Sequence, residues 1–290
     1  MYPHPQHVVD FLAQVGLRRD NLGLVLEKFI DWFEDKRGNY TPNKREYFAQ
    51  ASKLFREARS PETEELAQAF SRRWQATLAR APFPVRTIEA EALWYFVSGK
   101  GSSDLIGELL YLHQNFAVPV IRGSAIKGSA RAYARDFLLP EGRISEEKLV
   151  ELFGNDYEDD EVAPGALTFF DAIPLSANCL KVTAITNQSD GYYSGKEELM
   201  CRNNVIPLFH LAAPPNTPFL FAIGSTDARA LELGEKILRQ ALRKNGTGAN
   251  TRVGYGYFKV VEDEQPASAP PAIESGQNIQ REDSTYAHAN

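Results

Sequence analysis

The sequence predicts an α+β fold for residues 86–262, on the evidence of a change in hydrophobic period and of the order of the elements. Before residue 86 the apolar residues recur at helical spacing, whereas beyond it short apolar runs alternate with two amphipathic stretches. The predicted core elements then read strand, helix, strand, strand, helix and strand. This is the split βαβ order of a ferredoxin-like or RRM-type fold.

Six core elements, one short helix and one inserted hairpin are predicted between residues 87 and 261. The first strand spans 87–97, a helix follows at 124–138, and Ser145 is the predicted N-cap of a short helix at 145–153. The later core elements are strand 166–171, strand 217–223, amphipathic helix 228–244 and strand 255–261. Two further strands, at 178–186 and 204–211, interrupt this order, and we interpret them as an inserted, protruding hairpin.

The two ends of the chain differ from this domain. Residues 1–85 are predicted to form a helical extension, because apolar residues recur at helical spacing from Val8 to Phe33. We expect residues 8–80 to be entirely helical. The tail at 263–290 is rich in Pro, Ala, Ser, Gln and Asn, a composition that is typical of disorder.

Basic residues are concentrated in two windows of an acidic chain. The formal net charge is -6, which argues against indiscriminate coating of nucleic acid. Residues 109–135 and 236–261, however, contain several lysines and arginines and no acidic residue. Such local basic faces on an acidic protein indicate that a polyanion binds at a defined place.

Several function classes are not supported by the composition. The two cysteines, Cys179 and Cys201, lack the CxxC spacing and form neither a disulfide framework nor a zinc site, and the five histidines include no HExxH pair. We therefore expect no metal and no cofactor. No signal-peptide pattern and no apolar run of about 18 residues is present, so we expect a cytoplasmic protein without a membrane partner.

The first basic window carries a candidate anion-binding helix. Its three basic side chains are spaced four residues apart and so share one helix face. Ser124 is the predicted N-cap, and free N–H groups in the first turn, at the positive end of the helix dipole, favour phosphate. The candidate residues are Arg122, Gly123, Ser124, Lys127, Arg131 and Arg135.

The second window contains a glycine-rich segment, 245–256, between a helix and a strand. A dinucleotide-binding loop has the reverse order, from strand to helix, so such a site is not predicted. Two interpretations remain: a helix C-cap followed by a bulged strand start, or a clamp whose backbone binds phosphates. The candidate residues are Arg243, Lys244, Gly246, Gly248, Arg252, Gly254, Tyr255 and Gly256.

Three isolated polar residues are candidate catalysts or ligands. His113 and His210 are candidate general bases, but each stands among apolar residues, where a partly buried structural histidine is the usual case. Asp171 follows an apolar strand, and a turn or cap role is favoured over metal ligation because no second carboxylate has helpful spacing.

The Gly-Ser-x-x-Lys-Gly-x-x-Arg signature at 123–131, the glycine-rich loop ending in the Val-Gly-Tyr-Gly-Tyr-Phe run at 253–258, and the split βαβ order resemble the RAMP proteins of type III CRISPR effectors. More narrowly, five segments in consistent order, over roughly 90 to 260, resemble the capping subunit of Cmr-type (III-B) complexes. They are Leu112-His113, 165–174, Tyr192-Tyr193, 218–221 and 246–257. The chain departs from that family at Arg122, where proline is common, and at Ala125, where serine is frequent.

This resemblance implies a non-catalytic RNA-binding subunit that acts in antiviral defence. It implies contacts to the 3′ portion of the crRNA and, through a thumb-like hairpin, to the duplex of guide and target RNA. The implied protein partners are the backbone RAMP subunit, the small helical subunit and a second capping RAMP subunit. On the hairpin, Tyr192 and Tyr193 are candidates for stacking on bases, with Lys196 beside them.

Two other functions were kept as alternatives. Because the resemblance extends to the backbone subunit that cleaves target RNA, the chain is a candidate ribonuclease that uses Asp104 or His113 near the bound strand. Asp104 lies in a loop after the first predicted strand, where the backbone subunit carries its catalytic aspartate. The other alternative is a protein-only adaptor in which the extension at 8–80 supplies all binding.

Overall fold

The structure of the protein, a computed structural model, describes most of the core domain and short pieces before it. The described residues are 61–98, 110–113, 115–155, 163–176, 179–186 and 207–261, with 7, 10, 32–34, 40–42, 48–49 and 51–52. Some residues singled out above lie outside the described part of the chain, namely Asp104, Tyr192, Tyr193, Lys196, Cys201 and the tail at 263–290.

The described elements are a mixture of helices and strands. The helices are α1 (Pro61–Ala79), α2 (Gly123–Tyr133), α3 (Glu146–Phe153) and α4 (Ala228–Lys244). The strands are β1 (Trp32–Glu34), β2 (Tyr40–Pro42), β3 (Val85–Ala92), β4 (Thr168–Phe169), β5 (Ile173–Pro174), β6 (Lys181–Thr186), β7 (Pro207–Ala212), β8 (Pro218–Gly224) and β9 (Phe258–Val260). A π-helical turn, Ala134–Leu138, follows α2, and a 3-10 turn, Thr251–Val253, precedes β9.

The central sheet confirms the predicted ferredoxin-like order. Its strands run β4-β8-β3-β9, every described pair is antiparallel, and β5 also pairs with β8. In core order along the chain, β3 is the first strand, β4 and β5 together are the second, β8 is the third and β9 is the fourth. The second strand therefore lies beside the third, the third beside the first, and the first beside the fourth. The register puts Ile88 opposite Phe221, and Ala90 opposite both Phe219 and Val260.

One face of the sheet is buried under α2 and α4. Ile88, Phe219, Phe221 and Phe258 are at most 1% exposed and form a single core with the apolar sides of both helices. The phenylalanine rings meet edge to face, as between Phe221 and Phe258, whose centroids are 5.1 Å apart. This core fixes both basic helices on the same side of the sheet.

The opposite face of the sheet divides into two halves. Trp74 and Leu78 of α1 pack against Leu220 and Ala222, so the half near β8 is covered. The half formed by β3 and β9 carries polar and charged residues instead, among them Thr87, Glu89, Glu91 and Lys259. This face therefore offers a helix-covered half and a charged half.

The structure corrects the prediction for the N-terminal extension. Residues 8–80 are not entirely helical, because β1 and β2 form an antiparallel pair in which Trp32 lies opposite Pro42. Their aromatic and β-branched side chains favour strands over helices, a preference that the helical spacing of neighbouring apolar residues concealed. The predicted helix beginning at Pro61 is confirmed as α1.

The inserted hairpin and the short third helix are also confirmed. β6 and β7 form a separate two-stranded sheet, with Lys181 opposite Ala212, and a bridge from Phe96 to Ala213 joins its base to the core domain. The N–H of Lys148 donates to the Ser145 hydroxyl (3.2 Å), as expected of an N-cap. No helix in the described part of the chain is long and apolar enough to span a membrane.

Candidate functional site

The N-terminus of α2 is seated directly on the end of β4. A Cβ atom added at Gly123 would lie less than 3.0 Å from the backbone of Phe169, so only glycine fits there without displacement. The N–H of Gly123 donates to the Asp171 carboxylate at 2.7 Å, which places a negative charge at the positive end of the helix dipole. The favoured cap role for Asp171 is thus confirmed.

This arrangement overturns two expectations about α2. Ser124 is not the N-cap: Arg122 occupies that position, and no side chain of its own caps the helix. The first turn also does not present all its N–H groups to a ligand, because Asp171 already accepts the bond from Gly123. The sequence reasoning missed this partner because it lies 48 residues away in the chain.

Arg122 nevertheless lies at the surface beside the start of α2. Its guanidinium group stands 4.0 Å from the centroid of the Tyr111 ring, in a cation–π contact. The backbone N–H of Tyr111 in turn donates to the Ser98 hydroxyl at 2.6 Å. The charge of Arg122 is therefore exposed but held in one place by an aromatic support.

One side of α2 docks on the glycine-rich loop. The Ser129 hydroxyl donates to the carbonyl of Gly246, and the side-chain amide of Asn245 donates to the carbonyl of Ser129 at 3.4 Å. The structure thus brings together the two sequence windows, which are more than 100 residues apart. The sequence reasoning had not singled out Ser129 or Asn245.

The basic residues of α2 lie on its other side. Lys127 and Arg131 are each two residues from Ser129, and two residues along an α-helix are separated by about 200°. Both side chains are half-buried on the flank that faces away from the loop. A single groove formed by residues 122–135 and 243–256, as expected from the sequence, would therefore have to cross α2 between Lys127 and the loop.

Arg135 is separated from this pair by the π-helical turn. The turn begins at Ala134, so Arg135 lies in this turn and not in α2 itself. Its guanidinium group pairs with the neighbouring Asp136 at 2.8 Å. Of the three predicted basic residues, Lys127 and Arg131 lie on the flank of α2, whereas Arg135 lies just beyond the helix and pairs with Asp136.

A ridge of small residues separates the two sides of α2, and we call it the α2 crest. It consists of Ser124, Ala125, Gly128 and Ala132, of which the first three are exposed. A Cβ atom at Gly128 would meet no heavy atom within 4 Å. An extended ligand lying across this crest approaches the helix backbone closely and reaches Lys127 and Arg131 on one flank and the glycine-rich loop on the other.

The glycine-rich loop is anchored by its own backbone. Gly246 follows the C-cap Asn245 with φ 68°, and its N–H donates to the carbonyl of Ala241. Further N–H groups bond within the protein, those of Thr247, Ala249, Val253, Gly254, Tyr255 and Gly256. The C-cap interpretation is therefore confirmed, and a phosphate clamp built from the backbone of the loop base is not what the structure offers.

The tip and the base of this loop differ in exposure. Arg252 and Gly254 are exposed at the tip, whereas Gly246 and Gly256 are buried at the base. Tyr255 is 6% exposed, with its ring 5.9 Å from that of Tyr95 and 5.8 Å from that of His210. Arg252 is thus presented to a ligand, and the ring of Tyr255 offers no open face for stacking.

Thr247, inside the loop, leads to a stability prediction. Its hydroxyl is buried and has no hydrogen-bond partner among the described residues. Replacing an unsatisfied hydroxyl by a methyl group of the same shape removes a desolvation cost. We expect Thr247→Val to raise the free energy of unfolding by about 1 kcal/mol, measured by urea denaturation.

Ser225 provides the matched control for this variant. Its hydroxyl donates to the carbonyl of Ala166 at 2.8 Å and accepts from the N–H of Asp227 at 3.1 Å. Ser225→Ala should therefore lower the free energy of unfolding by about 1 kcal/mol. A loss of similar size in Thr247→Val would show that the Thr247 hydroxyl is bonded after all.

The two histidines occupy packed environments. The ring of His113 lies 4.7 Å from that of Phe70 and 4.8 Å from that of Phe116, and its Nδ1 accepts a bond from the N–H of Asn115. Partial burial lowers the pKa of His113 below its ordinary value. His210 is 7% exposed at the base of the inserted hairpin.

Two comparisons use the amino-acid sequence. Residues 88–259, more than half of the chain, match the RAMP superfamily. A stretch of 119 residues is 32% identical to the CRISPR system Cmr subunit Cmr6 of Pyrococcus furiosus, and covers 38% of this chain and 34% of that protein. The match thus spans about a third of the length of the curated relative.

A comparison of folds agrees with the sequence match. The chain is similar to one in the cryo-EM structure of the type III-B Cmr-beta bound to cognate target RNA, with a TM-score of 0.58 and 20% identity. The similarity covers 76% of this chain and 72% of that one, and it concerns the fold. With the matched span 88–259 covering most of the central sheet together with α2 and α4, the chain belongs to the RAMP superfamily.

Proposed function

We propose that this chain is a non-catalytic, cytoplasmic RNA-binding subunit of a type III-B CRISPR-Cas (Cmr) effector complex. In this role it binds the 3′ portion of the crRNA and contacts the duplex of guide and target RNA during antiviral defence. Its protein partners are the backbone RAMP subunit, the small helical subunit and a second capping RAMP subunit. Membership of the RAMP superfamily and the similarity to Cmr6 support this assignment.

The sheet itself is a poor platform for RNA. RRM domains bind RNA on an open sheet face through exposed aromatic residues. In this chain α1 covers one half of the corresponding face, and the other half carries Glu89 and Glu91, which repel phosphates. Lys259, opposite Glu91, is a cation on the same half, so the charge of this half is mixed. The side of α2 and α4, with its basic residues, suits RNA better than this face does.

The α2 crest is the observation that carries the proposal. Its small residues allow a polyanion to approach the helix, and Lys127 and Arg131 flank it. The exposed Arg122 and Arg252 extend the positive charge towards the start of the helix and the tip of the loop. Such contacts go to phosphates and do not depend on base sequence, as a subunit that accepts any guide requires.

The proposal assigns no catalytic step to the chain. His113 packs against two phenylalanine rings that stack on each other, and its lowered pKa favours the neutral form, as is usual for a structural histidine. This packing supports a structural role over the ribonuclease alternative that would use the same residue.

The proposal is tested by the double variant Lys127→Ala/Arg131→Ala in the complex assembled with its guide RNA. Each phosphate contact to a single strand contributes about −0.7 to the slope of log K against log salt. Loss of two contacts should make that slope shallower by about 1.4 and weaken guide retention about tenfold near physiological salt. The loss should be similar for guides of different sequence, as measured by filter binding across a salt series.

Arg72 and Arg73 provide the matched control. Both are exposed on α1, which packs on the opposite face of the sheet, and their replacement by alanine removes the same charge. Guide retention should be unchanged in Arg72→Ala/Arg73→Ala. If both double variants lost guide retention equally, the loss would be due to the change in net charge and not to contacts made by α2. Unchanged guide retention in the α2 variant would overturn the proposal.

A further inference from the structure

A second feature of the helical side is a cavity of about 510 Å³ between the end of α2 and the outer side of α4. Its volume lies within the range of small-molecule sites. The lining residues are Tyr133, Leu138, Arg143, Leu233, Lys236, Ile237, Arg239, Gln240, Arg243 and Lys244. Arg143 comes from the loop before α3 and lies in neither of the two acid-free windows, so the sequence reasoning missed it.

The lining combines cations with the absence of any acidic residue. Half of the lining residues are lysine or arginine and none is aspartate or glutamate, although the whole chain has more acidic than basic residues. Bringing five like charges around one opening costs electrostatic free energy, which a bound anion offsets. The lining therefore favours an anionic ligand.

Ion pairs outside the cavity hold some of these cations in place. Lys236 pairs with Glu232 at 2.6 Å, Arg239 with Glu235 at 2.9 Å, and Arg143 with Glu141 at 3.3 Å. None of the three glutamates lines the cavity. The three carboxylates thus offset part of the charge of the five cations, but they do so from outside the opening, and the lining itself presents cations and no acidic side chain.

The floor of the cavity is apolar. Tyr133, Leu138 and Ile237 are buried, and Leu233 is half-buried beside them. The Gln240 amide supplies both a donor and an acceptor at the rim. An apolar floor suits a flat nucleobase, an amide suits a base edge, and a cationic rim suits a phosphate.

We infer that this cavity binds one nucleotide, with its base on the apolar floor and its phosphate among the rim cations. The inference rests on the proposed RNA binding and deepens it. Ser129 of α2 donates to Gly246, just after α4, while Leu138, beyond α2, lines the same cavity as Leu233 and Ile237 near the middle of α4. The two helices are therefore antiparallel, and the cavity continues from the glycine-rich loop along α4, so a strand that crosses the α2 crest reaches it.

The test uses the full chain, a fluorescent single-stranded RNA of ten nucleotides, and 5′-AMP or inorganic phosphate as competitors. Arg143→Ala/Lys236→Ala should weaken RNA binding about tenfold near physiological salt and make the salt slope shallower by about 1.4. RNA carrying one 4-thiouridine should crosslink under ultraviolet light to a peptide that contains residues of α4. If 5′-AMP displaces the RNA and phosphate does not, the ligand is the nucleotide unit. If 5′-AMP does not displace the RNA but the crosslink to α4 is retained, the cavity binds a nucleotide only as part of a strand.

Lys148→Ala is the matched control, because Lys148 forms a similar surface ion pair with Glu151 at 2.6 Å outside the cavity. It should leave RNA binding unchanged. Loss of binding in Lys127→Ala/Arg131→Ala together with normal binding and crosslinking in Arg143→Ala/Lys236→Ala would overturn the cavity inference alone. A wild-type chain that gives no crosslink to α4, or a cavity that binds a polyglutamate peptide and no RNA, would overturn it as well.

Discussion

The Gly256→Ala variant is expected to lose about 4 kcal/mol of unfolding free energy, a large part of the stability of an ordinary domain. Gly256 has φ 72°, where an alanine is strained, and an added Cβ would lie less than 3.0 Å from the carbonyl of Thr247. Its carbonyl accepts from the N–H of Thr247, and its N–H donates to the carbonyl of Tyr95, which lies beyond the end of β3. The substitution therefore breaks the closure of the loop onto the domain, and urea denaturation measures the loss.

Gly254→Ala separates backbone strain from steric overlap. Gly254 has φ 93°, yet an added Cβ would meet nothing within 4 Å. The alanine therefore introduces only the strain of a left-handed backbone, and we expect the free energy of unfolding to fall by about 1 to 2 kcal/mol. If both variants lost the same amount, the close approach of Gly256 to Thr247 would not determine the stability of the loop.

The parts of the fold that depend on local sequence could be predicted. Three local signals act within one or two helical turns. They are the apolar spacing of α4, the proline and acidic residues at the start of α1, and Ser145 before α3. The order of strands and helices then restricts the topology to very few arrangements. The ferredoxin-like sheet followed from these local signals without knowledge of any contact.

The candidate site depended on contacts that a single sequence does not display. Asp171 reaches Gly123, and Ser129 reaches Gly246, across 48 and 117 residues of chain. The second contact decides which side of α2 faces the loop, and so which side carries Lys127. Helical spacing predicted that the basic residues share a face, but it could not predict what that face adjoins.

Glycines illustrate the same limit in another form. In a sequence, a glycine that allows a ligand to approach looks like one that allows another strand of the same protein to approach. Gly248 and Gly256 are of the second kind, since backbone atoms of Val97 and Thr247 fill the space a side chain would need. Gly128 is open to its surroundings, which only the folded structure distinguishes.

Gly123→Ala and Gly128→Ala are expected to act in opposite directions on the same helix. At Gly123 the new methyl group would overlap the backbone of Phe169 and displace the start of α2 from Asp171, at a cost of about 3 kcal/mol. At Gly128 no atom is displaced, and alanine should raise the free energy of unfolding by about 1 kcal/mol through helix propensity. Thermal and urea denaturation of both variants measure these effects.

The Gly123→Ala and Gly128→Ala variants should also differ in how they bind guide RNA. Gly123→Ala should weaken binding only as far as it unfolds or shifts α2, so its loss should diminish under conditions that stabilise the fold. Gly128→Ala should weaken binding although the protein is more stable, because a methyl group on the α2 crest keeps the RNA backbone away from the helix. Stabilised Gly128→Ala protein that retains guide RNA as well as the wild type would show that no strand crosses the crest, and the contacts of Lys127 and Arg131 would then have to be made along the flank alone.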